Sequence, residues 1–223
     1  SFTSRNPCRK VVNMYLSRLL LDPANRQVIS EISNRYELHR TLSAQFKDKK
    51  REDIGLLYRL EEPDLYEFTP LTLLVQTLIE PNWEKLYQTG YLVQKAETKL
   101  YEPTFEPGEV FYFRLLANPT VRRGKGDFAG KRVELRLDEE REAWLARKGE
   151  KGGFALRGMR SKDLGKISSY RFIDGKKQTL THQAVLYDGV LEVQAAEQFM
   201  TSLQKGIGPA KAFGFGLLSL AKG

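Results

Sequence analysis

Cysteine and histidine are nearly absent from this chain of 223 residues, which contains one cysteine and two histidines. A single cysteine excludes an internal disulfide bond, and so few sulfur and imidazole ligands leave little with which to build a zinc site. We therefore expect a protein of the reducing cytoplasm that uses neither a metal nor another cofactor. Apolar runs long enough to span a bilayer are missing as well, and the N-terminus lacks the basic-then-apolar pattern of a signal peptide, so we expect no membrane partner.

The overall composition, with 41% hydrophobic and 29% charged residues, is that of an ordinary globular protein. The length suits one large domain or two small ones, each with its own core. Residues 1–13 have neither helical nor strand periodicity, whereas a regular pattern begins at Met14. We interpret residues 1–13 as an added leader that takes no part in the fold or in its chemistry.

Positive charge is concentrated in one part of the sequence. The chain has a net charge of +8, and residues 119–177 alone carry 17 Lys or Arg residues against 9 Asp or Glu. A basic segment on a nearly neutral body favours an anionic partner, with nucleic acid as the first candidate. A charged surface that only faces solvent explains the clustering equally well at this point.

Hydrophobic periodicity divides the chain into two units of mixed helix and strand. In the first unit we predict strands at residues 15–21, 55–62, 70–78 and 90–99 and helices at 34–47 and 80–90. Their order, β-α-β-β-α-β, is the ferredoxin-like motif. We therefore expect an N-terminal domain at residues 14–100, followed by a proline-bearing linker at 101–108.

The second unit, residues 109–223, follows the same general order with extra hairpins. We predict strands at 109–119, 154–160, 167–173, 183–193 and 216–220 and helices at 138–149 and 195–206. The pair Asp188-Gly189 predicts a hairpin turn inside the fourth of these strands, because Asp-Gly is a preferred sequence of two-residue turns. The predicted fold class is thus α+β, with two tandem ferredoxin-like domains.

The first predicted helix carries four polar side chains with catalytic potential. Spaced i, i+3, i+4 and i+7, they share one helical face, and they are Tyr36, His39, Arg40 and Ser43. Histidine transfers protons near neutral pH, arginine binds phosphate, and tyrosine orients a phosphate or a 2′-hydroxyl. Since no carboxylate cluster accompanies them, the set suits metal-free RNA cleavage by the neighbouring 2′-hydroxyl. A lone helical histidine is nevertheless more often a surface or capping residue.

Six stretches in a fixed order together resemble one protein family. They are MYLSRLLLDPANR at 14–26, YELHRTL at 36–42, FRLLANP at 113–119, AWLARK at 143–148 with GGF at 152–154, QAVLYDGVLEV at 183–193 and GIGPAKAFGFGLLSL at 206–220. Each stretch alone is weak evidence for a family, whereas the full set in this order is specific to one family. From Met14 to about Ala221 the chain is similar to the CasE (Cse3) family of CRISPR-associated endoribonucleases of type I-E systems, within the RAMP superfamily.

The resemblance implies two RRM-like domains with a cleft between them and a nuclease that requires no metal. Members of this family cut precursor CRISPR RNA at the base of each repeat stem-loop, keep the product crRNA bound and join the other subunits of the Cascade complex. The YxxH pair that is catalytic in the family falls on Tyr36 and His39. Arg40 is assigned a supporting role, because the family often has a basic residue at that position.

Further RNA contacts are expected from charge and from the glycine-rich C-terminal stretch. The candidates by charge are Arg122, Arg123, Arg157, Arg160, Lys162, Lys166, Arg171 and Lys211. The glycine-rich loop, which the resemblance implies lies in the cleft near RNA or the first helix, contains Gly206, Gly208, Gly214 and Gly216. For each basic side chain, simple solvation is as good an interpretation as an RNA contact.

Two other functions remain open at this point. A non-catalytic scaffold of the same fold would bind the RNA hairpin without turnover. A nucleotide-binding enzyme would hold phosphates in the glycine-rich stretch. Neither GxxxxGKS nor GxxxxGKT is present, however, and the glycines precede a strand and not a helix, which disfavours this second alternative.

Overall fold

The computed structural model describes residues 13–62, 69–122 and 132–223. The strands there are β1 (Met14–Leu21), β2 (Leu57–Leu60), β3 (Leu71–Thr77), β4 (Glu97–Tyr101), β5 (Val110–Ala117), β6 (Thr120–Arg122), β7 (Arg132–Glu134), β8 (Phe154–Ile173), β9 (Lys176–Val193) and β10 (Leu218–Lys222). The helices are α1 (Arg26–Ser33), α2 (Arg35–Ser43), α3 (Arg51–Ile54), α4 (Glu84–Gln88), α5 (Asp138–Gly152) and α6 (Ala196–Lys205), and a 3-10 turn spans Lys211–Phe213. Except for residue 13, the segment interpreted as a leader lies outside the described residues, as does Arg123.

The first sheet has the antiparallel strand order β2-β3-β1-β4, with helices packed on one face. Alternate residues of β1, including Leu19 and Leu21, point into the same apolar cluster as Leu38 and Leu42 of α2, and all four are fully buried. Each such leucine contributes about 2 kcal/mol when it leaves water. The short helix α2 is therefore held in place by its apolar face, which fixes the direction of its polar face.

The second sheet repeats this arrangement with the strand order β10-β5-β9-β8. Its core contains Phe113 and Leu115 from β5, Tyr187 and Leu191 from β9, and Phe199 from α6. In both sheets the first and third strands of the unit are central, so the expected pair of ferredoxin-like domains is confirmed. The first sheet ends at Tyr101 and the second begins at Val110, and the linker that we place at 101–108 falls in this connection. The exact domain limits remain our proposal.

The hairpin turn predicted at Asp188-Gly189 is wrong. Both residues lie inside β9, which runs without interruption from Lys176 to Val193, and the turn between β8 and β9 is made by Asp174-Gly175. Glycine is required at position 189 for a different reason, because a Cβ there would overlap the carbonyl oxygen of Gly158 on β8. The Asp-Gly signal therefore marks a close approach of two strands, next to the β-bulge at Leu156/Gly158, and not a reversal of the chain.

Two local elements of the first domain also differ from the prediction. Helix α1 was not predicted, yet the Asn25 side chain caps it by accepting hydrogen bonds from the backbone N–H groups of Gln27 and Val28, at 2.9 and 3.2 Å. Strand β4 begins at Glu97, several residues later than expected, because the buried Tyr91 and Leu92 follow α4 in irregular structure. Apolar residues at the start of that stretch fill the core without forming a strand.

A buried arginine joins the two domains. Arg59 of β2 donates from its guanidinium to the carbonyl oxygens of Arg114 (3.2 Å) and Leu217 (3.3 Å) and to Ser219 Oγ (3.0 Å), all in the second domain. Its Nε donates to Glu61 at 2.8 Å. A buried charge with this many partners disfavours any displacement that would leave it unpaired, so the two sheets are held in a defined relative position.

Candidate active site

The catalytic pair predicted from the sequence lies on α2, at the junction of the two domains. Leu38 and Leu42 fix the helix in the core, and Tyr36 and His39 are half-buried at the edge of that face. At the start of the helix, Asn34 does not cap the backbone. Instead its side chain donates to the carbonyl oxygen of Tyr170 and accepts from the Tyr170 N–H, both at 3.0 Å. The end of the β8–β9 hairpin is thereby joined to the beginning of α2.

His39 occupies a pocket that favours its neutral form. Its ring is stacked on that of Tyr58, with centroids 6.2 Å apart and planes inclined by 21°. Burial, together with the positive charge of Arg51, lowers the pKa of His39 from 6.5 to about 4. Nδ1 is buried without a hydrogen-bond partner among the described residues, and Nε2 lies 3.5 Å from Ser43 Oγ. The imidazole is therefore neutral at pH 7 and can accept a proton.

Tyr58 connects this helix to the glycine-rich loop. Its hydroxyl lies 3.0 Å from the carbonyl oxygen of Arg35 on α2 and 3.0 Å from that of Ala212 in the 3-10 turn. A single hydroxyl proton is shared between these two acceptors, and burial raises the pKa of Tyr58 far above its ordinary value. The ring below His39 and the loop of the second domain therefore form one packed unit.

The glycine-rich loop lies where the resemblance implied, beside α2. Gly206 ends α6, and the Ile207 N–H donates to the Gly216 carbonyl oxygen at 2.9 Å, which closes the loop. Gly214 faces Tyr58: a Cβ there would lie 3.0 Å from the Tyr58 ring at a φ of 84°. Gly208 is packed just as closely against Trp144. These contacts establish that the loop packs against both domains.

Arg40 is exposed and forms an ion pair with Glu37, with Nη1 and Oε2 2.9 Å apart. Glu37 is thus the partner of the proposed supporting cation. An exposed pair of this type is weak, so a phosphate could displace the carboxylate at small cost.

The basic side chains predicted to contact RNA differ in their surroundings. Three are paired with carboxylates: Arg157 with Glu192, Lys162 with Glu62 at 3.1 Å, and Lys166 with Glu134 at 3.7 Å. The other described candidates are Arg122 at the end of β6, the exposed Arg160, Arg171, which donates to Gln178 at 2.8 Å, and the half-buried Lys211. Charge along β8 is therefore partly neutralised within the protein.

Several residues that shape this site were not predicted. Tyr58 lies in the strand predicted at 55–62, and Asn34 is only the first residue of the helix predicted at 34–47. Both act through partners more than 130 residues away, which periodicity does not detect. His182 packs on Phe213 with ring centroids 4.4 Å apart, and burial lowers its pKa.

The described part of the chain contains neither a metal-binding cluster nor a membrane-spanning helix. No group of three or more His, Cys, Asp and Glu side chains there is arranged to hold a metal ion. Within residues 13–62, 69–122 and 132–223, the helices are too short or too polar to span a bilayer.

Known proteins match nearly the whole chain. A family model described as CRISPR associated protein matches residues 14–222. The CRISPR-associated endoribonuclease Cse3 of Thermus thermophilus is 39% identical over 219 residues, which cover 93% of this chain and 100% of the relative. The CRISPR system Cascade subunit CasE of Escherichia coli is 31% identical over 216 residues, with coverage of 93% and 99%. The structure of Thermus thermophilus Cse3 bound to an RNA representing a pre-cleavage complex has a TM-score of 0.78 at 39% identity, with coverage of 94% and 99%. The resemblance inferred from the motifs is confirmed.

Proposed function

The chain belongs to the family of CRISPR-associated proteins, and we propose that it is an endoribonuclease that cleaves precursor CRISPR RNA at the base of the repeat stem-loop. It then stays bound to the crRNA as a subunit of a Cascade complex. The observation that carries the proposal is the neutral His39 imidazole, held against Tyr58 and one helical turn from Tyr36. The relatives that match the whole fold are named for the same activity and complex.

The reaction needs proton transfer and charge stabilisation only. His39 accepts the proton of the 2′-hydroxyl, and the resulting oxyanion attacks the adjacent phosphorus. The bond to the 5′-oxygen breaks, that oxygen takes up a proton from solvent, and His39 returns its proton to solvent, so the products are a 2′,3′-cyclic phosphate and a 5′-hydroxyl. Tyr36 orients the phosphate, and Arg40, once released from Glu37, stabilises its developing charge. No step requires a metal ion, and we place the reaction in the cytoplasm, in keeping with the single cysteine.

The test uses a hairpin RNA from the host's CRISPR repeat, with and without EDTA. Wild-type protein should cut at one position in both conditions, and the 5′ fragment should end in a cyclic phosphate. His39→Ala should lose at least about a hundredfold in single-turnover rate, as expected for removal of a general acid or base, while hairpin affinity stays nearly unchanged. His182→Ala is the matched control, since it removes the other histidine of the chain.

Three outcomes separate the alternatives. Loss of cutting in EDTA would rule out the metal-free reaction. Equal cutting by wild type and His39→Ala would rule out the assignment of His39. Tight hairpin binding without any cutting by the wild type would favour the non-catalytic scaffold.

A further inference from the structure

Three lysines from separate elements converge around the glycine-rich loop. Lys205 is the last residue of α6 and directly precedes the loop, and Lys211 begins its 3-10 turn. Lys148 comes from α5: its Nζ lies 5.6 Å from the centre of the Trp144 ring, the same ring that packs against Gly208. We call Lys148, Lys205 and Lys211 the loop lysines.

The loop lysines differ from the cations of β8 in having no carboxylate to neutralise them. Within the described residues, none of the three forms an ion pair, whereas Arg157, Lys162 and Lys166 each do. Burial lowers the pKa of Lys211, and the charges of Lys148 and Lys205 lower it further. The pKa of Lys148 is also lowered, first by burial and then by Arg132, Lys151 and Arg147, which are not loop lysines. The repulsion that Lys211 experiences from Lys148 and Lys205 is relieved when an anion binds between them.

The position of this cluster relates it to the cleavage site. Lys211 adjoins Ala212, whose carbonyl oxygen accepts from the Tyr58 hydroxyl, and the Tyr58 ring supports His39. An RNA strand that leaves the scissile phosphate along the loop would therefore carry its next phosphates past these lysines.

We propose that Lys148, Lys205 and Lys211 form a phosphate-binding site for the substrate RNA, beside the glycine-rich loop and adjoining the cleavage site. The identification of RNA as the ligand of this site rests on the proposed function. It is distinct from the cations of β8, and two of its three members, Lys148 and Lys205, were not among the residues predicted from charge along the sequence.

The experiment measures how hairpin affinity depends on salt. Each phosphate contact adds about 0.7 to 0.9 to the slope of log Kd against log salt concentration. The full chain is used with His39→Ala throughout, so that cutting does not disturb the titration of the CRISPR repeat RNA. Replacing all of the loop lysines, as Lys148→Gln, Lys205→Gln and Lys211→Gln, should lower the slope by about 2.

The matched control removes the same charge from the first domain, as Lys85→Gln, Lys95→Gln and Lys99→Gln. These side chains are exposed and belong to α4, the segment after it and β4. The control should change the slope by less than the value of about 0.7 to 0.9 that is expected for one phosphate contact. Equal slopes for the two triple variants would overturn the proposed site. Thermal unfolding of both variants checks that each remains folded.

The result is independent of catalysis. If wild-type protein binds the hairpin without cutting it, the proposed reaction fails while the slope comparison still tests the loop lysines. If wild type cuts normally and the two slopes are equal, the phosphate site alone is rejected.

Discussion

The protonation of His39 offers the sharpest test of this site. Burial and the charge of Arg51 lower its pKa from 6.5 to about 4. At pH 7 the protonated fraction is then on the order of one in a thousand, against roughly a quarter for an ordinary histidine. A general acid with so little protonated form would be a poor catalyst at neutral pH, whereas a general base would be fully available.

The expected pH profile follows from this difference. With His39 as the base, the single-turnover rate at sub-saturating RNA should be flat from about pH 5 to 8, and should fall tenfold per unit below about pH 4. With His39 as the acid, the same rate would fall tenfold per unit above pH 4. Rates at saturating RNA report the complex instead, where the bound phosphate shifts the titration upward.

The lowered pKa of His39 also predicts how the free energy of unfolding depends on pH. An unfolded His39 binds its proton near pH 6.5 and the folded one only near pH 4, so the unfolded state holds more protons between these values. The free energy of unfolding therefore falls as pH decreases from 6.5 to 4, by at most about 3 kcal/mol from this residue. His182 acts in the same direction, because its pKa is lowered too, but its effect cancels when wild type is compared with His39→Gln.

NMR gives a direct measurement of the pKa. The chain has two histidines, so one His39→Gln spectrum assigns both imidazole resonances. A His39 resonance that titrates near 6.5 in the free protein would refute the account of its pocket. So would a single-turnover rate at sub-saturating RNA that rises tenfold per unit up to pH 7, because the proposed base is already neutral well below that pH.

Two further predictions concern the contacts that join the domains. Arg59→Met should lower the free energy of unfolding by about 3 kcal/mol in urea titrations, since it breaks a buried ion pair and leaves acceptors unsatisfied. Ser219→Ala, which removes one hydrogen bond of the same guanidinium, should cost about 1 kcal/mol, and equal losses for the two variants would contradict this account. Asn34→Ala should cost about 1 to 3 kcal/mol and speed protease cleavage at the β8–β9 turn, because both backbone groups of Tyr170 lose their partner. An unchanged cleavage rate would show that the hairpin is held by other contacts.

The parts of the fold that rest on local pattern were predictable. Apolar spacing places α5 and α6 within a few residues of their observed bounds, and the ferredoxin-like order of both units follows from the succession of elements. The spacing of Tyr36 and His39 likewise needs only a helix, and α2 provides it. These features depend on neighbours three or four residues away, which a single sequence displays directly. The separate strands predicted at 154–160 and 167–173 are wrong, because β8 runs without interruption from Phe154 to Ile173.

Features that depend on distant partners were not predictable. Asn34 precedes a helix, where its side chain normally caps the backbone, but the approach of Tyr170 offers it two hydrogen bonds instead. Asp188-Gly189 carries the pattern of a turn, yet Gly189 is required because β8 passes so closely. In both cases a residue type has two physical uses, and only the long-range contact decides between them.

The glycine-rich loop shows how the two physical uses of a residue type bear on function. In a nucleotide-binding loop the space beside the glycines is left for phosphate, and the backbone N–H groups surround it. Here side chains occupy that space: the Trp144 ring lies 2.9 Å from a Cβ placed at Gly208, and the Tyr58 ring 3.0 Å from one placed at Gly214. A phosphate has no room against these two glycines, which supports the lysines around the loop as the proposed contacts to RNA. Gly214 packs against the Tyr58 ring on which His39 is stacked, so we expect this glycine to affect the proposed reaction through Tyr58.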